Sequence, residues 1–212
     1  MTAPHLPADD GGAPLGGLVI GIVTNNKDPD GLGRVKVALP WLADRFETDW
    51  ARIASPMAGR ARGFYVLPEV DDEVLVGFAH GRLDSPFVLG ALWNGKDKPP
   101  EKNDDGKNDR RSFTSRSGHV IRLTDTKGEE RIEILDKSGK NSVVVDTKTN
   151  TVTVSADADV VVRAAKGKLT LSGEAGVEIS AAKGDVTVTA GKGMDLKANA
   201  KLVLKGATVD IN

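Results

Sequence analysis

The chain has 212 residues, enough for one large domain or two small ones, and its 29 basic against 30 acidic residues leave a formal net charge of −1. That balance gives no electrostatic case for binding nucleic acid or an anionic membrane surface. There is no cysteine, which excludes a disulfide framework and a thiolate metal site, and no apolar run approaches the ~20 residues of a membrane span.

Met1 to Gly17 is rich in Pro, Gly, Ala and Asp. It lacks the basic start and apolar core of a secretory signal, and residues 1–17 are expected to form a flexible N-terminal arm. From Leu18 to Asn94 the composition changes. Trp41, Phe46, Trp50, Phe64, Tyr65, Phe78, Phe87 and Trp93 all lie here, and Phe113 is the last aromatic in the chain. Period-two patterning predicts strands at Leu18–Thr24, Gly33–Leu39, Trp50–Ala54, Glu73–Phe78 and Pro86–Ala91. A dense turn cluster, Asn25 to Gly31, separates the first two. Several short strands with no helical period predict a small closed barrel over residues 18–94, most economically the five-stranded OB type. The aromatics are expected in the barrel core and in packing between subunits. Gly31, Gly33 and Gly59 suit tight turns, Pro40 and Pro68 suit strand ends, and Arg34 is expected to brace a carboxylate such as Glu73. OB barrels often bind oligonucleotides through stacked aromatics on a basic groove. Here Arg60-Ala61-Arg62 is the sole basic cluster in the barrel sequence and reads as a solvated loop.

Gly95 to Arg111 is Lys, Asp, Asn, Pro, Gly, Glu and Arg without an apolar side chain, so residues 95–116 are expected to be a linker. Two transitional strands follow at Gly118 to Leu123 and Arg131 to Leu135, with Ile121 paired to Leu123 and Ile132 to Ile134. Asp125 to Glu130 and Asp136 to Lys140 read as wide turns.

From Asn141 to Asn212 a short unit repeats: two apolar residues flanking one other, then a few polar or small residues. The pairs are Val143 with Val145, Val152 with Val154, Val160 with Val162, Leu169 with Leu171, Val177 with Ile179, Val186 with Val188, Met194 with Leu196, Leu202 with Leu204, and Val209 with Ile211. Side chains two apart on a strand share a face, so each unit predicts a short strand with one apolar face. Glycines at Lys166-Gly167, Gly173 to Gly176, Lys183-Gly184, Gly191-Lys192-Gly193 and Lys205-Gly206 supply the corners. A fixed short period marks a repeat architecture. One unit is too short to form a closed coil of a single-chain solenoid. A chain folded alone would be a flat meander with one greasy face and open edges. Three chains wound together would turn every apolar pair onto a common axis and pair every edge. Residues 117–212 are therefore predicted to form an intertwined trimeric β-helix, with the pairs from Val143 to Leu204 as its core. An antiparallel sandwich built from hairpins is the competing reading; it would carry bulkier, more aromatic cores.

The stretches "GIVTNNKDPDGLGRVKVALPWL" and "WARIASPMAGRARGFYVLPEVDDEVLVGFAHGRLDSPFVLGALWNGKDKPP", continuing through "SRSGHVIRLTDTKGEERIEILDKSG", closely resemble the spike proteins of contractile tails, the phage baseplate assembly protein V and VgrG family. The motifs that carry the resemblance are Asp28-Pro29…Gly33-Arg34-Val35, Pro40-Trp41, Ala58-Gly59, Pro68-Glu69, Asp72-Glu73-Val74 and Leu89-Gly90…Asn94-Gly95. The resemblance implies an all-β chain with an OB-fold collar followed by a trimeric needle. It implies a mechanical function: the central spike of a phage tail, tailocin or type VI-like injection machine, driven by sheath contraction to pierce a target membrane. Such a protein would be made in the cytoplasm and built into a tail-like particle.

The same resemblance implies partners. The large hub domains of VgrG-type fusions have no counterpart here, so a separate hub protein is expected at the collar. A PAAR-type tip protein is expected at Val209, Asp210, Ile211 and Asn212, where strand edges and the end of the apolar core would face water. No nucleic acid, cofactor or catalytic residue is expected. His5, His80 and His119 are not at metal-ligand spacing, the iron-binding His-x-His of some needle tips is absent from Thr208 to Asn212, and Gly95 to Arg116 is too short for the lysozyme domain that another relative carries. Asp71-Asp72-Glu73 and Asp104-Asp105 lack a nucleophile or oxyanion site beside them. The alternative function is an OB-fold nucleic-acid-binding module with a trimerising stalk.

Overall fold

The computed structural model describes residues 17–42 and 46–211. The arm expected over residues 1–17 lies outside these except for Gly17. The chain divides into two compact units, one ending at Asp157 and one beginning at Ala158. Among the described residues the regular elements are all strands apart from a 3-10 turn at Ala79–Gly81, and no helix is long and apolar enough to cross a membrane.

The collar strands are β1 (Leu18–Asn25), β2 (Lys36–Ala38), β3 (Arg52–Ile53), β6 (Glu73–Phe78) and β7 (Pro86–Ala91), with a small hairpin, β4 (Ala58–Gly59) and β5 (Arg62–Gly63), between β3 and β6. The sheet order is β2-β1-β6-β7-β3. The β1–β2, β1–β6 and β6–β7 pairs are antiparallel, whereas β3 runs parallel to β7. Bridges Val35↔Ala51 and Ala38↔Glu47 close the ring on the β2 side. This is a closed five-stranded OB barrel. Three of its strands match the expected positions closely. β2 and β3 are much shorter than expected because they meet only at isolated bridges, and the β4–β5 hairpin has no counterpart among the expected elements.

The alternation that makes these strands also fills the barrel. Val23, Val35, Val37, Leu39, Ala51, Val74, Val76 and Val88 are essentially inaccessible and form one core. The expectation of an aromatic core is corrected: Phe46 and Phe78 only pack against its edge, and Trp41, Phe64, Tyr65 and Trp93 are exposed. Neighbouring strands also crowd one another: a Cβ added at Gly21 would lie 2.3 Å from Cγ1 of Val37 and 3.0 Å from the carbonyl oxygen of Ala38, both on the adjacent β2.

Beyond the collar, β8 (Arg110–Thr114), β9 (Val120–Thr124), β10 (Arg131–Leu135), β11 (Ser142–Asp146) and β12 (Thr151–Ser155) form a sequential antiparallel meander. β8 falls within the stretch expected as linker. Its arginines hid it, yet Phe113 pairs in register with Ile121. The wide turns expected after β9 and β10 are hairpin loops. In the second of these, Asp136 Oδ1 accepts the N–H of Asn141 at 3.2 Å, Oδ2 accepts its side-chain amide at 3.0 Å, and both oxygens accept the Ser138 hydroxyl at 2.8 Å. Gly139 takes the left-handed φ of 70° that this turn requires. The first two repeat units, β11 and β12, thus pair within the chain, where pairing between chains was expected. From Ala158 to Ile211 the described backbone carries no strand pairing within the chain.

Candidate functional site

Register places the apolar pairs of the meander on one face in two rows. One row is Phe113, Ile121, Ile134, Val143 and Val154; the other is Arg111, Leu123, Ile132, Val145 and Val152. A face built this way would normally be a domain core, yet within the single chain it is not covered.

The residues expected to form the core are exposed throughout. In the meander these are Val143, Val145, Val152 and Val154; beyond it they are Val160, Val162, Leu169, Leu171, Val177, Ile179, Val186, Val188, Met194, Leu196, Leu202 and Leu204. Their exposure runs from 37% to 70%. None of these side chains is buried by its own chain; the expected core is one formed between three chains. The physical reason is the one the repeat length suggests. A single strand and corner per unit cannot fold back to cover its own apolar face, so the side chains wait on surface from outside the chain. The contiguous apolar face of the meander marks an interaction surface. Of the four residues expected to dock a tip protein, Val209, Asp210 and Ile211 are exposed, and Asn212 lies outside the described residues.

The opposite face of the meander is polar and tied to the stretch before it. Glu101 accepts from Arg122 Nε at 2.8 Å and from Arg110 at 3.4 Å. Burial pushes the Glu101 carboxyl up, and the guanidinium groups of Arg122 and Arg110 more than reverse this, leaving its pKa below the usual value. Glu133, at the buried centre of the face, lies 3.6 Å from both Arg122 and Arg131, and its Oε2 has no closer hydrogen-bond partner. Arg116, in the β8–β9 turn, reaches Glu69 of the collar at 2.8 Å. None of this network was legible in the sequence, because its members lie up to 47 residues apart.

Several charged residues of the collar are paired as well. Arg34 grips Asp28 through Nε at 2.9 Å and Nη2 at 2.7 Å, and reaches Asp30 at 2.5 Å. Asp28 also accepts the backbone N–H groups of Asp30, Leu32 and Arg34. The Arg34 guanidinium holds the Asp28 carboxyl far below the ordinary carboxylate range, against burial that pushes it up. The expected Arg34–Glu73 contact is therefore corrected; Glu73 faces the Asn94 amide, 3.3 Å away. Arg34 and Lys36 lie 5.9 Å and 5.7 Å from the Trp50 ring centre, and Arg52 lies 4.6 Å from that of Phe87. Such cation–aromatic pairs are the raw material of an oligonucleotide platform. Two of these cations already have carboxylate partners, since Lys36 pairs with Glu47 at 2.7 Å. Among the described residues no group of three or more His, Asp or Glu is placed to hold a metal ion. His119 Nδ1 accepts the Lys137 N–H at 3.2 Å, and His5 lies outside the described residues.

The barrel belongs to a defined class. Residues 19–93 match the type VI secretion system/phage-baseplate injector OB domain. Part of the chain is similar to VgrG spike proteins. It is 27% identical to the type VI secretion system spike protein VgrG2a of Pseudomonas aeruginosa over 157 residues, covering 65% of this chain and 19% of the relative. It is 35% identical to VgrG5 of the same organism over 112 residues, 49% of this chain and 14% of the relative. Over 74 residues it is 34% identical to the actin cross-linking toxin VgrG1 of Vibrio cholerae, 32% of this chain and 7% of that protein. The chain thus spans about a fifth or less of the length of these relatives.

Proposed function

We propose that this chain is the central spike of a contractile injection machine, a homotrimer whose needle is pushed through a target envelope when a sheath contracts. The observation that carries this reading is the run of exposed apolar pairs. It covers the meander and recurs every 7 to 9 residues past Asp157, where the described chain has no strand partner of its own. Two further copies would bury the pairs from Val143 to Leu204 on a common axis and satisfy the backbone groups of every edge. Such a continuous ladder would be stiff along its length, which is what force transmission requires. The likeness of the collar to injector OB domains and of the chain to VgrG spikes supports the same reading.

In this reading the OB collar meets the tube or hub, and Val209 to Asn212 dock a PAAR-type tip protein. The protein would be made in the cytoplasm and built into a tail-like particle, meeting a membrane only as the barrier it pierces. Sedimentation of the purified chain tests the core of the proposal: a trimer is expected across the micromolar range, with no folded monomer on dilution. A folded monomer at micromolar concentration overturns it. A salt-dependent titration with single-stranded DNA separates the spike from an oligonucleotide-binding module, since the spike is expected to show no binding.

A further inference from the structure

The end of the collar holds a preassembled reaction site that a spike does not require. β7 ends at Ala91, and Asn94-Gly95 follows. The Asn94 side chain is clamped at both ends. Its Oδ1 accepts the backbone N–H groups of Lys96 at 2.8 Å and Asp97 at 2.7 Å. Its Nδ2 faces the carboxylates of Glu73 at 3.3 Å and Asp97 at 3.5 Å. Donors at one end and acceptors at the other fix which way the amide points.

We propose that Asn94 is a site of self-modification, in which the Gly95 nitrogen attacks the Asn94 side-chain carbonyl carbon to form a succinimide. An amide oxygen held by two backbone N–H groups at 2.7–2.8 Å is an oxyanion hole in miniature, stabilising negative charge as the tetrahedral intermediate forms. The same contacts tie the side-chain oxygen to the two residues that follow Gly95, so the side chain is held close to the Gly95 peptide rather than free to rotate away. Gly95 has no side chain to obstruct the approach, and nothing lies within 4 Å of where a Cβ would sit. Its N–H makes no backbone or side-chain hydrogen bond of its own among the described residues. In the reaction the Gly95 nitrogen loses its proton and bonds to Cγ. The Cγ–Nδ2 bond breaks with proton transfer to nitrogen, and ammonia leaves. Water then opens the ring to aspartate or isoaspartate, so no oxidant or co-reactant is needed.

The product changes the joint. An aspartate at this position sets a third carboxylate beside Glu73 and Asp97 and removes the NH2 that faces both, so repulsion replaces hydrogen bonding where the chain leaves the barrel. The experiment is peptide mapping by mass spectrometry of the intact, folded protein held in mildly alkaline buffer, with a Gly95→Ala variant and the same chain in denaturant alongside. The expected result is conversion of Asn94 to aspartate and isoaspartate in the folded wild-type protein and its loss in Gly95→Ala, whose folding is checked by circular dichroism. If Asn94 keeps its amide in the folded protein while the denatured chain converts, the clamp protects the residue and the proposal is overturned.

Discussion

Gly21 shows how tightly single residues constrain the collar. It sits in β1 where the wall of the barrel faces Val37 and Leu39, both wholly buried. A methyl group there overlaps Val37 and cannot be relieved without displacing the core. Gly21→Ala is expected to destabilise the collar by about 1–3 kcal/mol, read as a lower midpoint in denaturant at unchanged slope. A stability equal to wild type would mean that β1 and β2 are further apart than described. Gly31 and Gly33 were legible as turn residues, and they do take φ of 66° and 70°. Nothing in the pattern marks Gly21, because a glycine chosen for close approach looks like any other glycine until its neighbour across the sheet is known. The same holds for Arg34. Its need for a carboxylate was legible, but the partner is Asp28, six residues away in its own turn, because that aspartate also collects three backbone N–H groups.

At the scale of elements, the hairpin loop between β10 and β11 depends on one ionised group. Hydrogen bonds from Ser138 and Asn141 hold the Asp136 carboxyl at about 2, below its usual 3.8. A depressed carboxylate contributes stability that is complete above its unfolded value and is lost as pH falls through its folded value. Amide exchange at Asn141 is therefore expected to accelerate as pH drops from near 3.8 toward 2, beyond the intrinsic trend. Asp136→Asn should abolish that excess; if it persists in the variant, another group is responsible. Facing is tested further along the repeat. Val186→Asp is expected to abolish assembly, because three carboxylates would meet on one dry level. Thr187→Asp, one residue on and pointing the other way, should assemble normally, and like behaviour of the two in sedimentation would refute the inside-outside assignment. In the meander the shared face of Val143 with Val145 and Val152 with Val154 could be read from the sequence because a period of two survives any change of partner. Which strand would be the partner could not. Hairpin pairing of β11 with β12 depends on the turn at Thr147 to Asn150, where Asp146 Oδ1 accepts the Thr149 N–H at 2.8 Å and Asn150 adopts a φ of 55°. Those residues differ little from the corners that follow.

For the molecule as a whole, the proposed docking of a tip protein makes the last strand dispensable for assembly but not for function. Deleting Thr208 to Asn212 is expected to leave a trimer that no longer retains a PAAR-type protein in a pull-down. Normal capture by the truncated trimer would move the docking site elsewhere.

The meander also implies an order of events. Each of its pairings joins neighbouring strands through a loop of a few residues, so it can form within microseconds of leaving the ribosome, before a second copy is encountered. From Ala158 to Ile211 the described chain has no such pairing, so in the proposed trimer this part would wait for two companions. In the proposed trimer, assembly would be two successive encounters among three molecules whose meanders are already paired, followed by closure along the repeat. The collar end would act as the nucleus and the far end as the last part to set. Growth that starts at a prepared base keeps three identical strands in step, where a slip of a single unit would leave one chain short at the far end.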